Sequence, residues 1–391
     1  MVKLLDNPLL RGIPVARDRT AQSGLDVALP SDIRLVSADN HWELTEDVFV
    51  ERFPARLKDK APRVWFDGLW RVGFPGQAPA DAAARAMAEK FRQVLSVVVA
   101  PGTWDMEIRE RDLALEGVEK EIVYPQGVNA FFTHPDFEVR EQIFRIYNEH
   151  IAEVQRRSGG RFFGVAVCSN WWDPARASAA IQQIADLGLK TFMVPTMHPG
   201  TTLAGRPISY GGVEMDAFWS AAADSGLPVA FHVGENFTLQ ARDSFATSVI
   251  QSMGSFRKPF SELVFGGVFD RHPNLRIVFA EGGIGWVPAA LQDAEATVDS
   301  HGGVLELIPE HRPSDYWFNN CYATFQNDVL GLSTLDYIGA DRIMWASDYP
   351  HNEGSFGYGR SSAKTVLEML PHDQARMALG GTASSLYRLD P

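Results

Sequence analysis

In the stretch VSADNHWELTED, Asp39, His41 and Glu43 occupy alternate positions just past an apolar run. A strand projects alternate residues from one face, so a carboxylate, an imidazole and a second carboxylate can aim at one point. Similar residues stand where other apolar runs end: His198 in VPTMHPG, His232 in VAFHVG, Glu281 in FAEGG, and Asp348 with His351 in MWASDYPH. Each has a plain alternative. A lone histidine in an apolar strand is commonly a hydrogen-bonded core residue, and Asp348 before Tyr-Pro or Glu281 before Gly-Gly can serve a turn. Several carboxylates gathered in one buried place, however, need a cation or protons to neutralise them. A divalent metal does this while accepting neutral imidazoles. The minimal site has Asp39, His41, His232 and Asp348 around one metal, with a position left open for water or substrate. Glu43, His198, Glu281 and His351 are spare donors, enough for a second metal. Nitrogen and oxygen donors suit zinc, manganese and iron alike.

These residues are far apart in sequence, so the fold must bring them together. Eight β-branched or aromatic runs read as strands, at 33–41, 121–125, 161–169, 190–195, 228–234, 276–283, 321–327 and 342–348. From the second onward, segments with helical spacing follow, for example 136–157, 174–189, 213–227 and 285–300. Continuous apolar strands separated by helices indicate a closed parallel (β/α)8 TIM-type barrel, whose C-terminal strand ends form the functional face. An open doubly wound sheet is the alternative, weakened because no glycine-rich phosphate loop follows an early strand. The domain reading is one barrel over 1–391 with an N-terminal arm at 1–32 and a long excursion between strands 1 and 2, at 42–120. An excursion of that length should be folded, as a lid or an oligomer contact. Trp42, Trp171, Trp172 and Trp286 are candidates for a flat apolar wall at the mouth, with core packing as the alternative.

A formal net charge of −13 disfavours nucleic acid and anionic membrane as general partners. No window approaches the roughly 18 uninterrupted apolar residues of a membrane span, and MVKLLDNPLLRG does not resemble a signal peptide. The two cysteines, Cys168 and Cys321, read as buried free thiols in a reducing compartment, so a cytoplasmic location is expected.

The order and spacing of SADNH, RIYNEHIAE, RFFGVAV, LPVAFHVG, GVFDRHPNLRIVFAEGGIGWVP, DRIMWASDYPHNEG and ALGGTASSLYRLD resemble the amidohydrolase superfamily. The likeness is to its amidohydrolase-related branch, which includes aminocarboxymuconate-semialdehyde decarboxylase and resorcylate-type decarboxylases. By that resemblance the first-strand pair falls on Asp39 and His41, the fifth-strand histidine on His232, and the eighth-strand aspartate on Asp348, a metal ligand and proton carrier. Asp39 stands where the family has His or Glu, and Glu281 where its decarboxylases carry a histidine followed by glycine. The leading expectation is a metal-dependent hydrolase acting on a small carboxylated or aromatic molecule, with Asp348, Glu281 and His232 in catalysis. The alternatives are non-oxidative decarboxylation, a divergent non-haem iron or manganese oxygenase, and a non-enzymatic partner subunit of an active homologue. A homodimer, or a complex with a homologous subunit, is expected.

Overall fold

The computed structural model describes residues 27–66, 70–74, 86, 89–90, 101–235, 244–351 and 354–390. All eight expected barrel strands are present. They are β1 (Leu35–Trp42), β4 (Val118–Pro125), β5 with β6 (Phe162–Gly164 and Ala166–Val167), β7 (Phe192–Val194), β8 (Val229–His232), β9 (Ile277–Ala280), β10 (Cys321–Phe325) and β11 (Ile343–Trp345). Every pairing among them is parallel. β5 and β6 are one barrel strand that changes neighbour at Val165, whose N–H donates to Val123 O at 2.8 Å while Ala166 N–H donates to Thr191 O at 3.1 Å.

Just past β11 the ring closes onto β1: Asp348 N–H donates to Asp39 O and His41 N–H to Tyr349 O, each at 2.8 Å. Side chains of β1 complete the seam, since Ser37 Oγ accepts from Ser347 N–H at 2.8 Å and Asn40 Oδ1 from Tyr349 N–H at 2.9 Å. Nearly every strand residue is buried, as a barrel packed inside and covered by helices outside requires. The helix Phe137–Arg157 illustrates the coding. Asp136 caps it by accepting from the N–H groups of Glu138 and Val139, and Arg156 and Arg157 sit in its last turn, where the helix dipole favours cations.

The described part of the 42–120 excursion contains an antiparallel hairpin of β2 (Arg63–Phe66) and β3 (Trp70–Gly73) and the helix Met106–Glu116. The hairpin is tied to the barrel's mouth. Arg63 pairs with Asp47 at 2.6 Å, and Phe74, just past β3, meets the Phe131 ring edge-on at a centroid distance of 5.9 Å. Gly127, with φ 78°, lies under Val72 so closely that a Cβ there would stand 2.9 Å from its methyl. Within the excursion the sequence also reads as a helix at 81–95; that segment and the arm at 1–32 lie largely outside the described residues.

Trp171 and Trp172 are not a pocket wall. Both are fully buried, their rings 4.6 Å apart and nearly perpendicular, with Trp171 Nε1 donating to Pro199 O at 2.8 Å. Trp286 packs edge-on to Phe279 and Trp317. Cys168 and Cys321 are buried and free.

Candidate metal centre

β1 carries Asp39 and His41 into the interior, where 0% and 2% of their surface is exposed. The backbone at His41 is held from outside the barrel. Arg109, itself fully buried, donates from Nη1 to His41 O at 2.9 Å and pairs bidentately with Glu121 at 2.7 and 2.6 Å. Glu121 also accepts from Asn40 Nδ2 at 2.6 Å. A buried bidentate pair of this kind fixes geometry as well as charge.

His232 ends β8. Its Nδ1 faces Val233 O at 2.8 Å and Glu281 Oε2 at 3.2 Å, which leaves Nε2 directed at Asp39 Oδ1, 3.3 Å away. Such a carbonyl partner selects the tautomer that offers Nε2 as a ligand. Glu281 and Asp348 follow β9 and β11 with φ of 72° and 55°, two of the three left-handed non-glycine residues among those described. That conformation is uncommon for non-glycine residues, more so for Glu than for Asp, and residues held in it cluster at functional sites. Glu281 N–H is satisfied by Thr324 Oγ1 at 2.8 Å. The turn after it is clamped by Asp328, which accepts from the N–H groups of Ile284 and Gly285, both at 2.7 Å.

Asp348 Oδ1 lies 3.1 Å from His41 Nε2 and 3.2 Å from His351 Nδ1. His351 Nδ1 is also 2.9 Å from Glu281 Oε1, and the His351 ring stacks on His41 at 3.8 Å. Two donor sets therefore exist, one of Asp39, His41 and His232, the other of His41, Glu281, Asp348 and His351, the donor atoms of each lying within 4.8 Å of one another. Among the described residues no lysine or arginine pairs with these three carboxylates.

The electrostatics follow from burial and this mixture of charges. Burial pushes the Asp39 carboxyl above its usual range, with His232 offsetting part of the rise. His41 is driven well below the ordinary imidazole value by burial and by His351. For His232, burial opposes the charge, yet Asp39 and Glu281 outweigh it and raise the group to about 9. His351 is raised well above the imidazole value, because Asp348 and Glu281 outweigh its burial. Glu281 is subject to burial and to Asp348, both of which favour its neutral form, but the two imidazoles prevail and hold it below the usual range. A divalent cation fits this donor set. The imidazoles and carboxylates are of the right types and their donor atoms converge.

Of the expected site residues, Asp39, His41, His232, Glu281, Asp348 and His351 come together. Glu43 stands beside them at the half-buried rim, its backbone N–H on Thr103 O at 2.9 Å and its carboxyl pushed up to about 8 by burial. His198 does not join them. It is exposed on the loop after β7, where its backbone N–H donates to the buried Glu235 carboxylate at 3.2 Å. Residues that sequence reasoning missed are Thr324, Gln126 and Gln326. Gln126 Oε1 is 3.2 Å from His351 Nε2, and Gln326 Nε2 donates to Asp348 Oδ2 at 3.4 Å. Both glutamines directly follow a strand, β4 and β10, so a search of strand ends for amides as well as ionisable groups would have found them.

The chain belongs to the amidohydrolase family, whose profile matches residues 104–389. It is similar to the gamma-resorcylate decarboxylase of Rhodococcus jostii (strain RHA1), at 23% identity over 74% of this chain and 92% of that protein. A second relative is the 2-amino-3-carboxymuconate-6-semialdehyde decarboxylase of Dictyostelium discoideum, at 21% identity over 84% of this chain and 90% of that one. Among solved structures, an amidohydrolase from Mycobacterium avium subsp. paratuberculosis K-10 superposes with a TM-score of 0.72 at 19% identity, covering 92% of this chain and all of that one. A dihydroxybenzoic acid decarboxylase from Polaromonas sp. JS666, solved with manganese and 2-nitroresorcinol, gives 0.67 at 17% identity, covering 92% and 98%. The shared fold is the TIM barrel of this superfamily.

Proposed function

We propose that the protein is a divalent-metal-dependent, non-oxidative decarboxylase of a small aromatic carboxylic acid. Hydrolysis, the leading expectation from the residues, gives way because both relatives above are named decarboxylases. The observation that carries the reading is the convergence of Asp39, His41, His232 and Asp348 at the functional face of a barrel of that family. A metal held by these residues would supply positive charge to chelate the substrate and draw electron density from the bond to be broken. Manganese and zinc both match the donors.

In the reaction the bond between ring carbon and carboxylate breaks, CO2 departs, and the electron pair left on the ring carbon takes a proton. Asp348 is suited to hold and deliver that proton. Its Oδ1 is engaged by the His41 and His351 imidazoles, and its Oδ2 accepts from the Gln326 amide. The strained backbone at Asp348 and its tie to Asp39 O keep the carboxyl in place. The β2–β3 hairpin packs on the segment that follows β4, with Val72 against Gly127 and Phe74 against Phe131.

The test is to load chelator-treated protein with manganese or zinc and supply a panel of hydroxybenzoates, including 2,6-dihydroxybenzoate, in D2O. Release of CO2 with one deuterium at the vacated ring carbon supports the reading. Turnover of ester or amide substrates with oxygen from labelled water, and no CO2 from any acid, would refute it.

A further inference from the structure

A cleft of about 400 Å³ lies outside the barrel wall, between the segment that follows β1, the first turn of the helix Met106–Glu116 and the last turns of the helix Phe137–Arg157. It is large enough for a single-ring molecule. Trp42 and Trp104 form its walls together with Met106 and Val154. Trp42 follows His41 on β1 and so points to the opposite side of the strand, away from the metal centre. His150 also lines the cleft. Only 3% of its surface is exposed, and its buried Nδ1 has no hydrogen-bond partner. A buried polar atom left in this way calls for a partner that the protein itself does not supply.

The charges narrow the choice of that partner. Burial lowers His150 from the ordinary imidazole value, against the pull of Glu46, so the ring is uncharged at neutral pH. Among the charged groups that line the cleft, the carboxylates of Glu46 and Asp105 outnumber the guanidinium of Arg157, and Glu153 nearby is already paired with Arg52 at 2.9 Å. A carboxylate ligand is therefore repelled, whereas an uncharged ring bearing a hydroxyl suits both the indole walls and the imidazole. We infer that this cleft binds a small uncharged phenol, its ring against Trp42 and Trp104 and its hydroxyl on the His150 imidazole. Occupancy bears on the metal centre through the wall, because the Trp42 ring is 5.7 Å from the guanidinium of Arg109, which donates to His41 O at 2.9 Å. The lining selects the ligand class independently of the reaction, although the decarboxylation proposed above would release molecules of this class.

The experiment is calorimetric titration of the zinc-loaded, full-length protein with phenol and with fluorobenzene, which has a similar shape but no hydroxyl. Saturable binding of one phenol per chain is expected. Thr45→Trp, which fills the cleft from the loop after β1, should abolish it. His150→Phe should weaken phenol about two- to tenfold and leave fluorobenzene unchanged. Circular dichroism and an unaltered zinc content confirm that both variants are intact. No saturable binding, full affinity in Thr45→Trp, or equal losses for phenol and fluorobenzene in His150→Phe would each overturn the proposal. Phenol binding by a protein that releases no CO2 from any acid would leave the cleft standing and sink the decarboxylase reading. CO2 release with no binding at the cleft would do the reverse.

Discussion

Metal uptake by Asp39, His41 and His232 should expel protons, and their number can be counted. In the metal-free protein His232 titrates at about 9, because Asp39 and Glu281 outweigh the burial that opposes its charge. At pH 7 it is almost wholly protonated, and the hydrogen on Nε2 is shared with Asp39 Oδ1 at 3.3 Å. A metal ligand must present a lone pair there, so binding releases that proton. Asp39, raised by burial, adds a fraction of a second proton, whereas His41, held neutral by burial and by His351, adds none. The sign follows directly. Protons compete with the ion, so affinity rises with pH, and one competing proton gives about a tenfold gain per pH unit from neutrality. The gain should level off at about 9, where His232 loses its proton unaided. Calorimetric titration with manganese in two buffers of different ionisation heat measures the release, and the His351→Ala variant isolates the first donor set. One proton or slightly more per ion at pH 7 is expected. An affinity independent of pH, with heats that do not depend on buffer, would refute the assignment of His232.

Other consequences can be checked by substitution. His232→Ala should abolish manganese binding at the first set while His198→Ala leaves metal content unchanged, because His198 is exposed and its backbone N–H, not its ring, bonds Glu235; elemental analysis of both variants decides. Arg109→Ala strands the Glu121 carboxylate in a buried position and frees His41 O, so urea denaturation should show a loss of about 3–5 kcal/mol. A loss below about 1 kcal/mol would show that the pair does not brace β1. Burial pushes Glu116 up to about 7, although the N–H groups of Gly359 and Gly357 oppose the rise. The fold thus prefers this carboxyl protonated, and the preference stabilises it fully below the unfolded value near 4.5 and is lost as pH climbs through about 7. Glu116→Gln should remove that decline and gain up to about 3 kcal/mol over the wild type at pH 8, measured by denaturation at pH 4 and pH 8.

The sequence alone was enough for the architecture, because burial on both faces of a barrel strand forces long apolar runs and leaves eight of them countable. It was also enough to nominate Asp39, His41, His232 and Asp348, since polar residues at the ends of such runs must lie at one rim of the ring. What it could not decide was which further donors arrive. His198 and His351 both lie a few residues past a strand. His198 is held on an exposed loop after β7, whereas the left-handed turn at Asp348 folds His351 back onto His41. That choice depends on backbone torsions and on contacts with distant strands, and neither leaves a local pattern. The same holds for the Arg109 and Glu121 brace behind β1, for the Gln126 and Gln326 amides, and for the burial of Trp171 and Trp172 away from the mouth. Each is a pairing of residues far apart in the chain, and only the closed barrel brings them within a few ångströms of one another.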